Sequence, residues 1–329
     1  MDAFKAFRIH QVDGRIVAGF ERLTVDDLTP GEVVIRVRFS SINYKDALAA
    51  TGAGRILRTY PLNGGIDLAG EVVSSADGRF APGDEVLVTG CNLSETFDGG
   101  YSELARVAAE SVIPLPAGLS LHDAMALGTA GFTAALAIHR MEHNGQSPAK
   151  GPVLVSGATG GVGCIAVHML AGRGYEVVAV SGKPERDAWL GELGAARILR
   201  RQDIDFGKRP LETALWAGAV DNVGGDMLTW LTRTVDYWGN IASIGLAGSP
   251  KLETTVMPFI LRGINLLGIN SSATPRELRL AIWQRISTDL RPRNFGSLVS
   301  RTIGFDELPA AFPEYLQGRV SGRTVVEIG

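Results

Sequence analysis

The sequence predicts an α/β protein in which a doubly wound parallel sheet is inserted into a β-rich domain. The first third of the chain carries short strand patterns separated by glycine and proline, and from about Leu121 apolar strand and helix patterns alternate. Strand patterns return after residue 297, which predicts that the chain re-enters its first domain. A chain of 329 residues exceeds one ordinary core, so two domains are expected.

The β-rich part contains four segments with strand character. Residues 33–39 alternate apolar and polar side chains with a period of two, directly after a Pro-Gly turn. Residues 71–73, 85–89 and 99–107 are further strand-like segments that begin at or near glycine or proline. Many short strands with such punctuation indicate a compact, barrel-like β domain.

The middle of the chain alternates between helices and strands. Residues 123–138 form an apolar helical pattern that leads to a helix stop at Asn144 and Gly145. Six strands are predicted after this helix, at 153–155, 176–180, 197–199, 219–223, 240–244 and 265–269. Strands that alternate with helices in this way favour a doubly wound parallel sheet.

The end of the chain contains two more strand patterns, 300–303 and 322–328, on either side of a helix that begins at Glu307. Placing these strands in the first domain predicts a first domain made of residues 1–124 and 297–329. The inserted domain with the parallel sheet is then predicted to span residues 125–296.

A glycine loop follows the first strand of the predicted parallel sheet. Gly157, Gly160 and Gly163 lie between the buried strand 153–155 and an apolar helix. A pyrophosphate can sit on a helix N-terminus only if the backbone comes close without an intervening Cβ and turns sharply. The spacing departs from the usual G-x-G-x-x-G, and such a match is weak by itself because glycine turns between strand and helix are common.

The end of the second predicted strand indicates which dinucleotide binds. An NAD site would place Asp or Glu about 20 residues after the glycines to hold the ribose hydroxyls. This chain has Ser181 and Lys183 there instead. A hydroxyl and a cation favour a 2′-phosphate, which a carboxylate would repel, so the sequence predicts NADP(H). The alternative is a solvated loop that happens to lack an acidic residue.

Composition excludes several classes of partner. Net charge is −3 and the basic residues are scattered, so no nucleic-acid partner is expected. The N-terminal residues lack the apolar core of a signal peptide, and no apolar stretch is expected to span a bilayer. Cys91 and Cys164 form neither a metal-type spacing nor a disulfide framework. A cytoplasmic protein that acts on a small molecule is therefore expected.

The chain resembles the medium-chain dehydrogenase/reductase superfamily, in which a dinucleotide-binding domain is inserted in a GroES-like β domain. The resemblance to its zinc-free quinone-oxidoreductase branch rests on Ser41-Ile-Asn-Tyr-Lys-Asp46, Gly65-Ile-Asp-Leu-Ala-Gly-Glu71, Gly99-Gly-Tyr101, Gly128-Thr-Ala-Gly131 and the glycine loop. The motifs that resemble the NADPH-dependent acryloyl-CoA reductases are Val180-Ser-Gly-Lys183, Arg209-Pro-Leu-Glu212, Trp216-Ala-Gly218, Gly245-Leu-Ala-Gly248, the segment from Thr254 to Arg262, and Gly322-Arg-Thr324.

The resemblance implies an NADPH-dependent reduction of a short 2-enoyl-CoA, acryloyl-CoA to propanoyl-CoA, by a homodimer. It implies that Tyr44 contacts the cofactor at the nicotinamide site and is a candidate donor to the substrate. The other cofactor contacts that it implies are Thr159, Gly160, Gly161, Val162, Gly163, Ser181, Gly182, Lys183, Arg201, Leu246, Ile260 and Ser271. From the residues alone, Tyr44 is equally an amphipathic core residue, and Arg201 is equally a surface charge.

The zinc-dependent members would need a cysteine near Tyr44 and Gly-His-Glu near Gly65, and this chain has neither. No metal site is expected. His139 and His143 match an H-x-x-E-H pattern, but polar and cationic residues also favour the end of a helix, so the pair is interpreted as structural.

Three further readings stay open on the sequence. Asp67 is interpreted as a buried structural carboxylate, paired with Lys45 or with an arginine. Arg55 and Arg58 belong either to a lip that meets coenzyme A or to a solvated loop. The activity itself has two alternatives, a quinone reductase and a non-catalytic NADPH-binding sensor or crystallin-like protein.

Overall fold

The computed structural model describes residues 3–329 and divides into two compact units. Unit 1 contains the described residues up to Thr129, together with Ser271–Ser287 and Leu298–Gly329. Unit 2 contains Ala130–Asn270 and Thr288–Ser297. These units follow from internal contacts, and the domain boundaries given above stay a prediction.

Strands and helices are numbered here in chain order across residues 3–329. The strands are β1 (Phe4–Val12), β2 (Arg15–Leu23), β3 (Val33–Ile42), β4 (Leu62–Asn63), β5 (Asp67–Ser75), β6 (Glu85–Thr89), β7 (Leu104–Val107), β8 (Ile113–Pro114), β9 (Val153–Val155), β10 (Val177–Ser181), β11 (Ala195–Arg200), β12 (Trp216–Asp221), β13 (Val235–Ser243), β14 (Asn265–Gly268), β15 (Val299–Gly304) and β16 (Arg323–Glu327). The α-helices are α1 (Tyr44–Thr51), α2 (Leu121–His143), α3 (Gly161–Gly172), α4 (Asp187–Glu192), α5 (Gly225–Thr234), α6 (Met257–Arg262), α7 (Arg276–Ser287) and α8 (Leu308–Leu316).

Unit 1 is built on a seven-stranded sheet and a three-stranded sheet. The larger sheet has the order β15-β16-β3-β5-β6-β8, with β7 also paired to β3, and the smaller sheet has the order β2-β1-β4. Strand β16 pairs antiparallel with β3, with Thr324 opposite Ile42. The strand patterns at the end of the chain therefore return to the first sheet, as predicted from the sequence.

One apolar core fills unit 1. Side chains from β1, β3, β5 and β6 pack against α1 and α8, and Phe7 contacts both Tyr101 and Phe312 through tilted or edge-on rings. Period-two burial along β3 matches its alternating sequence, since Ile35 and Val37 are buried and Arg36 is exposed. This packing fixes helix α1, which begins at Tyr44, against the sheet.

Unit 2 contains a six-stranded parallel sheet in the order β11-β10-β9-β12-β13-β14. The chain starts at β9, runs outward to β11, and then returns to the other side of β9 at β12. The strand order therefore reverses between β9 and β12, and the predicted doubly wound sheet is confirmed. Strand β14 lies at an edge, as expected from its position as the last strand.

The connections of unit 2 differ in structure. Helix α3 joins β9 to β10, and the short helix α4 joins β10 to β11. Within the described residues 201–215, the connection from β11 to β12 contains a 3-10 turn (Arg201–Asp203) and no α-helix. This connection therefore covers the sheet with irregular chain where a doubly wound fold usually has a helix.

Helix α2 corrects one expectation from the sequence. Among residues 3–329 it is long and apolar enough to cross a membrane by length and composition, although no bilayer-spanning segment was expected. However, 83% of its most apolar stretch is buried inside the protein. The helix is also interrupted at Gly128, where φ is +52°. Its burial is that of a core helix, and a cytoplasmic location stays a prediction.

Candidate functional site

The glycine loop joins β9 to the N-terminus of α3. Gly157 has a φ of +59°, a left-handed conformation that glycine adopts without strain. A Cβ on Gly163 would lie 2.3 Å from the carbonyl oxygen of Gly157, so only glycine lets the first turn of α3 pack against the loop. Gly160 is the exposed N-cap of this 12-residue helix. The arrangement leaves the N-terminal N–H groups of α3 next to backbone without side chains.

A polar network fixes this loop at the point where the strand order reverses. The hydroxyl of Ser156 donates to Oδ1 of Asp221 at 2.6 Å and accepts the N–H of Asn222 at 2.9 Å. The other oxygen of Asp221 accepts the N–H of Gly224 at 2.8 Å. Burial raises the pKa of Asp221, against the lowering effect of these hydrogen bonds. The loops after β9 and β12 are therefore held together at the edge where ligands bind in such sheets.

Ser181 and Lys183 lie at the end of the neighbouring strand β10. The hydroxyl oxygen of Ser181, which is buried, accepts the backbone N–H of Lys183 at 3.0 Å. Burial lowers the pKa of the Lys183 ammonium, and the nearby Arg186 lowers it further while Glu185 opposes the change. Gly182, between them, is exposed. The predicted hydroxyl and cation therefore occur together in one tight turn.

Arg201 follows the adjacent strand β11. Ser181 of β10 pairs in register with Arg200 of β11, so both strand ends leave the sheet at the same edge. Arg200 forms a two-pronged ion pair with Asp187, with Nη1 2.7 Å from Oδ1. Arg201, one residue later, is exposed. Arg200, and not the predicted cofactor contact Arg201, therefore forms the ion pair with Asp187.

Arg201 also lines a cavity of about 210 Å³ in unit 2. Lys251 lines the same cavity, together with the N-terminus of α5 at Gly224 and Gly225. Asp226 and Glu253 contribute opposite charges to the lining. Sequence reasoning missed Lys251, because a single lysine in a connecting segment carries no pattern that marks it.

Three further predicted contacts are Leu246 and Ile260 in unit 2 and Ser271 in unit 1. Leu246 follows β13 and is 66% exposed, and Ser271 follows β14. The carbonyl of Ser271 accepts Nη2 of Arg279 at 2.9 Å. Ile260 lies on α6 and is 71% exposed, while Arg262 at the end of that helix contacts the carbonyl of Val235 at the start of β13. Strand order thus places Leu246 and Ser271 after strand ends, whereas Ile260 is on a connecting helix.

Tyr44 in unit 1 is the first residue of helix α1 and is 51% exposed. The residue before it, Asn43, is the N-cap, and its backbone N–H donates to Oδ2 of Asp46 at 2.8 Å. Asp46 also accepts the N–H of Ile66 on Oδ1 at 2.9 Å. The spacing of Asn43 and Asp46 is that of a capping box, a signal from which this helix start could have been predicted.

Two buried carboxylates lie behind this helix start. Asp67 is fully buried and accepts the side chains of Ser41 (2.7 Å), Asn43 (2.7 Å) and Thr129 (2.5 Å). The interpretation of Asp67 as structural fits these contacts, but the suggested pairing with Lys45 is wrong, because Lys45 forms its ion pair with Glu95. Burial raises the pKa of Asp46 to about 7, and the nearby Asp67 adds to the rise.

The comparisons with known proteins give a consistent result. Residues 29–117 match the family described as "Alcohol dehydrogenase GroES-like domain", and residues 161–287 match "Zinc-binding dehydrogenase". YhfP of Bacillus subtilis, whose name assigns it provisionally to the quinone oxidoreductases, is 47% identical over 99% of each chain. The chain belongs to the medium-chain dehydrogenase/reductase superfamily.

Other relatives in this superfamily have more specific names or bound cofactors. The acrylyl-CoA reductase AcuI of Ruegeria pomeroyi is 46% identical over 96% of each chain. The yhdH oxidoreductase of Salmonella enterica, solved in complex with NADP, is 44% identical and superposes with a TM-score of 0.95 over 99% of this chain and 100% of that one. The structure of YhfP, with NAD bound, superposes with a TM-score of 0.97 over the whole of both chains at 46% identity.

The zinc of zinc-dependent dehydrogenases does not fit the residues of this superfamily member. Tyr44 and Ile66 stand in the regions where zinc ligands would be needed, and the donor oxygens of Asp67 are committed to Ser41, Asn43 and Thr129. Within the part of the chain that the structure describes, no group of three or more His, Cys, Asp or Glu is placed to hold a metal. His139 and His143 stack on each other with ring centroids 6.4 Å apart near the end of α2.

Proposed function

We propose that this protein is an NADPH-dependent reductase of the carbon–carbon double bond of a short 2-enoyl-CoA, with acryloyl-CoA as substrate and propanoyl-CoA as product. The observation that carries the proposal is near-full-length identity of 46% to an acrylyl-CoA reductase, combined with a cationic turn at the end of β10. That the chain is an oxidoreductase follows from its superfamily and its named relatives.

The residues fit NADP(H) in two places of unit 2. The N-terminus of α3, with its loop of glycines, is suited to the pyrophosphate, because its N–H groups point outward and no Cβ blocks the approach at Gly160. Ser181 and Lys183 are suited to the 2′-phosphate, since a charge-assisted hydrogen bond from an ammonium is stronger than one between neutral groups. One relative holds NADP and another holds NAD, and the absence of Asp or Glu from residues 181–183 favours NADP(H) here.

Bound NADPH supplies a hydride for the reduction. Addition of hydride to the β carbon of an enoyl thioester moves negative charge onto the thioester oxygen, and the α carbon must then take up a proton from Tyr44 or from water. Hydrogen-bond donors that point at the developing negative charge usually make the largest single contribution to stabilising the transition state. We assign that donation to the hydroxyl of Tyr44, which is half-exposed at the start of a helix whose N-terminal dipole also favours negative charge.

Two arginines of unit 1 are suited to the substrate's anionic handle. Arg55 and Arg58 are both exposed and follow helix α1 by a few residues. Coenzyme A carries phosphate groups that guanidinium groups bind in a bidentate manner. The loop that holds these arginines is the part of unit 1 that we assign to coenzyme A.

The test compares kcat/KM of the purified protein with NADPH and either acryloyl-CoA or 1,4-benzoquinone. We expect acryloyl-CoA to be preferred by at least about tenfold, and propanoyl-CoA, which lacks the double bond, to give no NADPH oxidation. Preference for benzoquinone would establish the second candidate, quinone reduction, which the name of the YhfP relative favours. Tight NADPH binding without turnover on either substrate would instead indicate a binding protein.

We also propose that the protein acts as a homodimer that pairs through β14. An exposed apolar edge strand favours association unless another element covers it. Leu266 of β14 is partly exposed, and nearby in sequence Val256, Ile260 and Leu261 are at least half exposed. A two-fold partner would continue the sheet and cover these side chains.

A further inference from the structure

A buried arginine and a buried aspartate in unit 1 are bridged twice by neutral side chains. Nη2 of Arg323 donates to the Ser41 hydroxyl at 2.9 Å, and that hydroxyl donates to Oδ2 of Asp67 at 2.7 Å. Nη1 of Arg323 donates to Oδ1 of Asn43 at 3.2 Å, and Nδ2 of the same amide donates to Asp67 at 2.7 Å. We call Ser41, Asn43, Asp67 and Arg323 the polar hub.

The remaining donors of Arg323 bind backbone carbonyls. Nε donates to the carbonyl of Ala126 at 3.0 Å, and Nη1 also donates to that of Ile42 at 3.3 Å. The side chain is 2% exposed, so it exchanges no contacts with bulk water. A guanidinium is the side chain whose planar fork can serve this many acceptors at once.

The hub packs directly against Gly128 of helix α2. A Cβ on Gly128 would lie 2.5 Å from Oδ2 of Asp67, 2.8 Å from the Ser41 hydroxyl and 2.9 Å from Nη2 of Arg323. Gly128 also has a φ of +52°, which interrupts helix α2 directly beside the hub. A side chain at residue 128 would therefore displace the hub, so glycine is required beside it.

This arrangement fixes the residue before Tyr44. Both polar atoms of the Asn43 amide are held by the hub, one by Arg323 and one by Asp67. Asn43 is the N-cap of α1, so its orientation sets the entry of the chain into the first helical turn. Nδ2 of Asn43 also donates to Oδ2 of Asp46 at 3.2 Å, so the amide nitrogen serves two carboxylates and only the amide oxygen depends on Arg323.

We infer that Arg323 is a positioning residue for Tyr44 and acts on it through Asn43. The inference rests on the catalytic role proposed above for the Tyr44 hydroxyl. Removal of the guanidinium leaves Oδ1 of Asn43 without its donor, whereas Nδ2 keeps Asp67 and Asp46. We expect the N-cap, and with it the adjoining Tyr44, to be held less firmly although the chemistry of the tyrosine is unchanged. The defect is then expected in kcat, because misplacement of a reacting group by about 1 Å costs on the order of 100-fold.

A double-mutant cycle with acryloyl-CoA tests the inference. We expect Arg323→Gln to lower kcat by about 10- to 100-fold while the Kd of NADPH stays within about twofold, and Arg323→Lys to restore part of the loss. In the Tyr44→Phe background, Arg323→Gln should cost little more, because its effect passes through the missing hydroxyl. Ser41→Ala breaks only one of the two bridges. It should therefore lower both kcat and stability less than Arg323→Gln does.

The matched control is Arg301→Gln. Arg301 lies on β15 and contacts Thr324, which is next to Arg323 on β16. It also forms an ion pair with Glu314. Arg301→Gln should lower stability, and any change that it makes in kcat should be the same with Tyr44 and with Phe at position 44. The inference would be overturned if the losses in kcat from Arg323→Gln and Tyr44→Phe multiplied independently in the double mutant. It would also be overturned if Arg323→Gln lowered kcat no more than Arg301→Gln does.

A second measurement separates failure of this inference from failure of the proposed function. Protein labelled with 3-fluorotyrosine gives a 19F resonance for Tyr44, identified by its disappearance in Tyr44→Phe. We expect Arg323→Gln to shift or broaden this resonance and Arg301→Gln to leave it unchanged, whatever the substrate proves to be. An unchanged Tyr44 resonance in Arg323→Gln contradicts the positioning role even if acryloyl-CoA is confirmed as substrate.

Discussion

Ser181 and Arg200 are direct partners on the adjacent parallel strands β10 and β11. Because they pair at the ends of both strands, the residues that follow, Lys183 and Arg201, leave the sheet at the same edge. Arg200 is occupied by Asp187, and the Ser181 hydroxyl holds the turn that carries Lys183. This register gives the proposed 2′-phosphate site a physical basis beyond composition.

Lys183→Ala should therefore weaken NADPH binding and spare NADH. A charge-assisted hydrogen bond contributes roughly 1.5–3 kcal/mol, which corresponds to about a tenfold to hundredfold rise in Kd. NADH carries no 2′-phosphate, so its Kd should stay within about twofold. Titration by intrinsic fluorescence measures both constants. Arg186→Ala, an exposed cation three residues away, is the control, and equal loss for both cofactors would contradict the assignment.

Gly163→Ala should disturb the glycine loop. Its Cβ would meet the Gly157 carbonyl at 2.3 Å, so backbone must move, at a cost of about 1–3 kcal/mol in the free energy of unfolding. NADPH affinity should fall as the start of α3 shifts. Gly172→Ala, at the end of the same helix, meets no atom within 4 Å and should not destabilise the protein. Similar melting temperatures for both variants would refute the argument from close approach.

Tyr44→Phe should lower kcat for acryloyl-CoA by about 10²–10³, as for other lost donors to a developing oxyanion. The Kd of NADPH should change little, since the ring is retained. Tyr237→Phe removes the hydroxyl of another exposed tyrosine, in unit 2, and should be silent. Steady-state kinetics with both variants distinguish a donor from a ring that only packs, because the packing role predicts wild-type turnover for Tyr44→Phe.

Asp46 should make the stability depend on pH. Its pKa is raised from 3.8 to about 7 in the folded protein, so the folded state binds a proton more tightly than the unfolded state. Its favourable contribution is complete below about pH 4 and is lost as pH rises through about 7. The free energy of unfolding should therefore fall by about 3–4 kcal/mol as the pH rises from about 4 to 8.

Urea unfolding at several pH values between 4 and 8 measures this dependence. In Asp46→Asn the fall in the free energy of unfolding over that range should be smaller by a comparable amount. The exposed Asp26→Asn serves as the control and should preserve the wild-type slope. Identical slopes for all three proteins would exclude Asp46 as the group responsible.

Leu266→Asp should dissociate the proposed dimer. A carboxylate on β14 cannot be buried against a partner strand without a compensating charge, and like charges would face each other across a two-fold axis. Sedimentation velocity at micromolar concentration should change from a dimer to a monomer. Leu280→Asp, on α7 with similar exposure, should remain dimeric. A monomeric wild-type protein would refute the proposal.

Sequence patterns predicted the parallel sheet well because its central strands are short, continuously apolar segments that alternate with helical patterns. The β1–β2 hairpin was not predicted, since charged and apolar residues mix along β2, where Leu23 alone is fully buried. The polar hub was not predicted either. Residues 41, 43, 67 and 323 are brought together by three strands and a helix start, and no local spacing signals such a meeting. Arg323 lay within a motif that resembles the family, but its contacts become visible only in the fold.

The position of β16 has a consequence for how the chain folds during synthesis. This strand lies between β15 and β3, yet it is translated after every strand of the unit 2 sheet. The parallel sheet can therefore form on the ribosome, while residues 39–42 of β3 wait without their partner strand until residues 323–327 emerge. We expect nascent chains to expose this part of β3 for most of their translation, which makes this interval the period of greatest need for a chaperone.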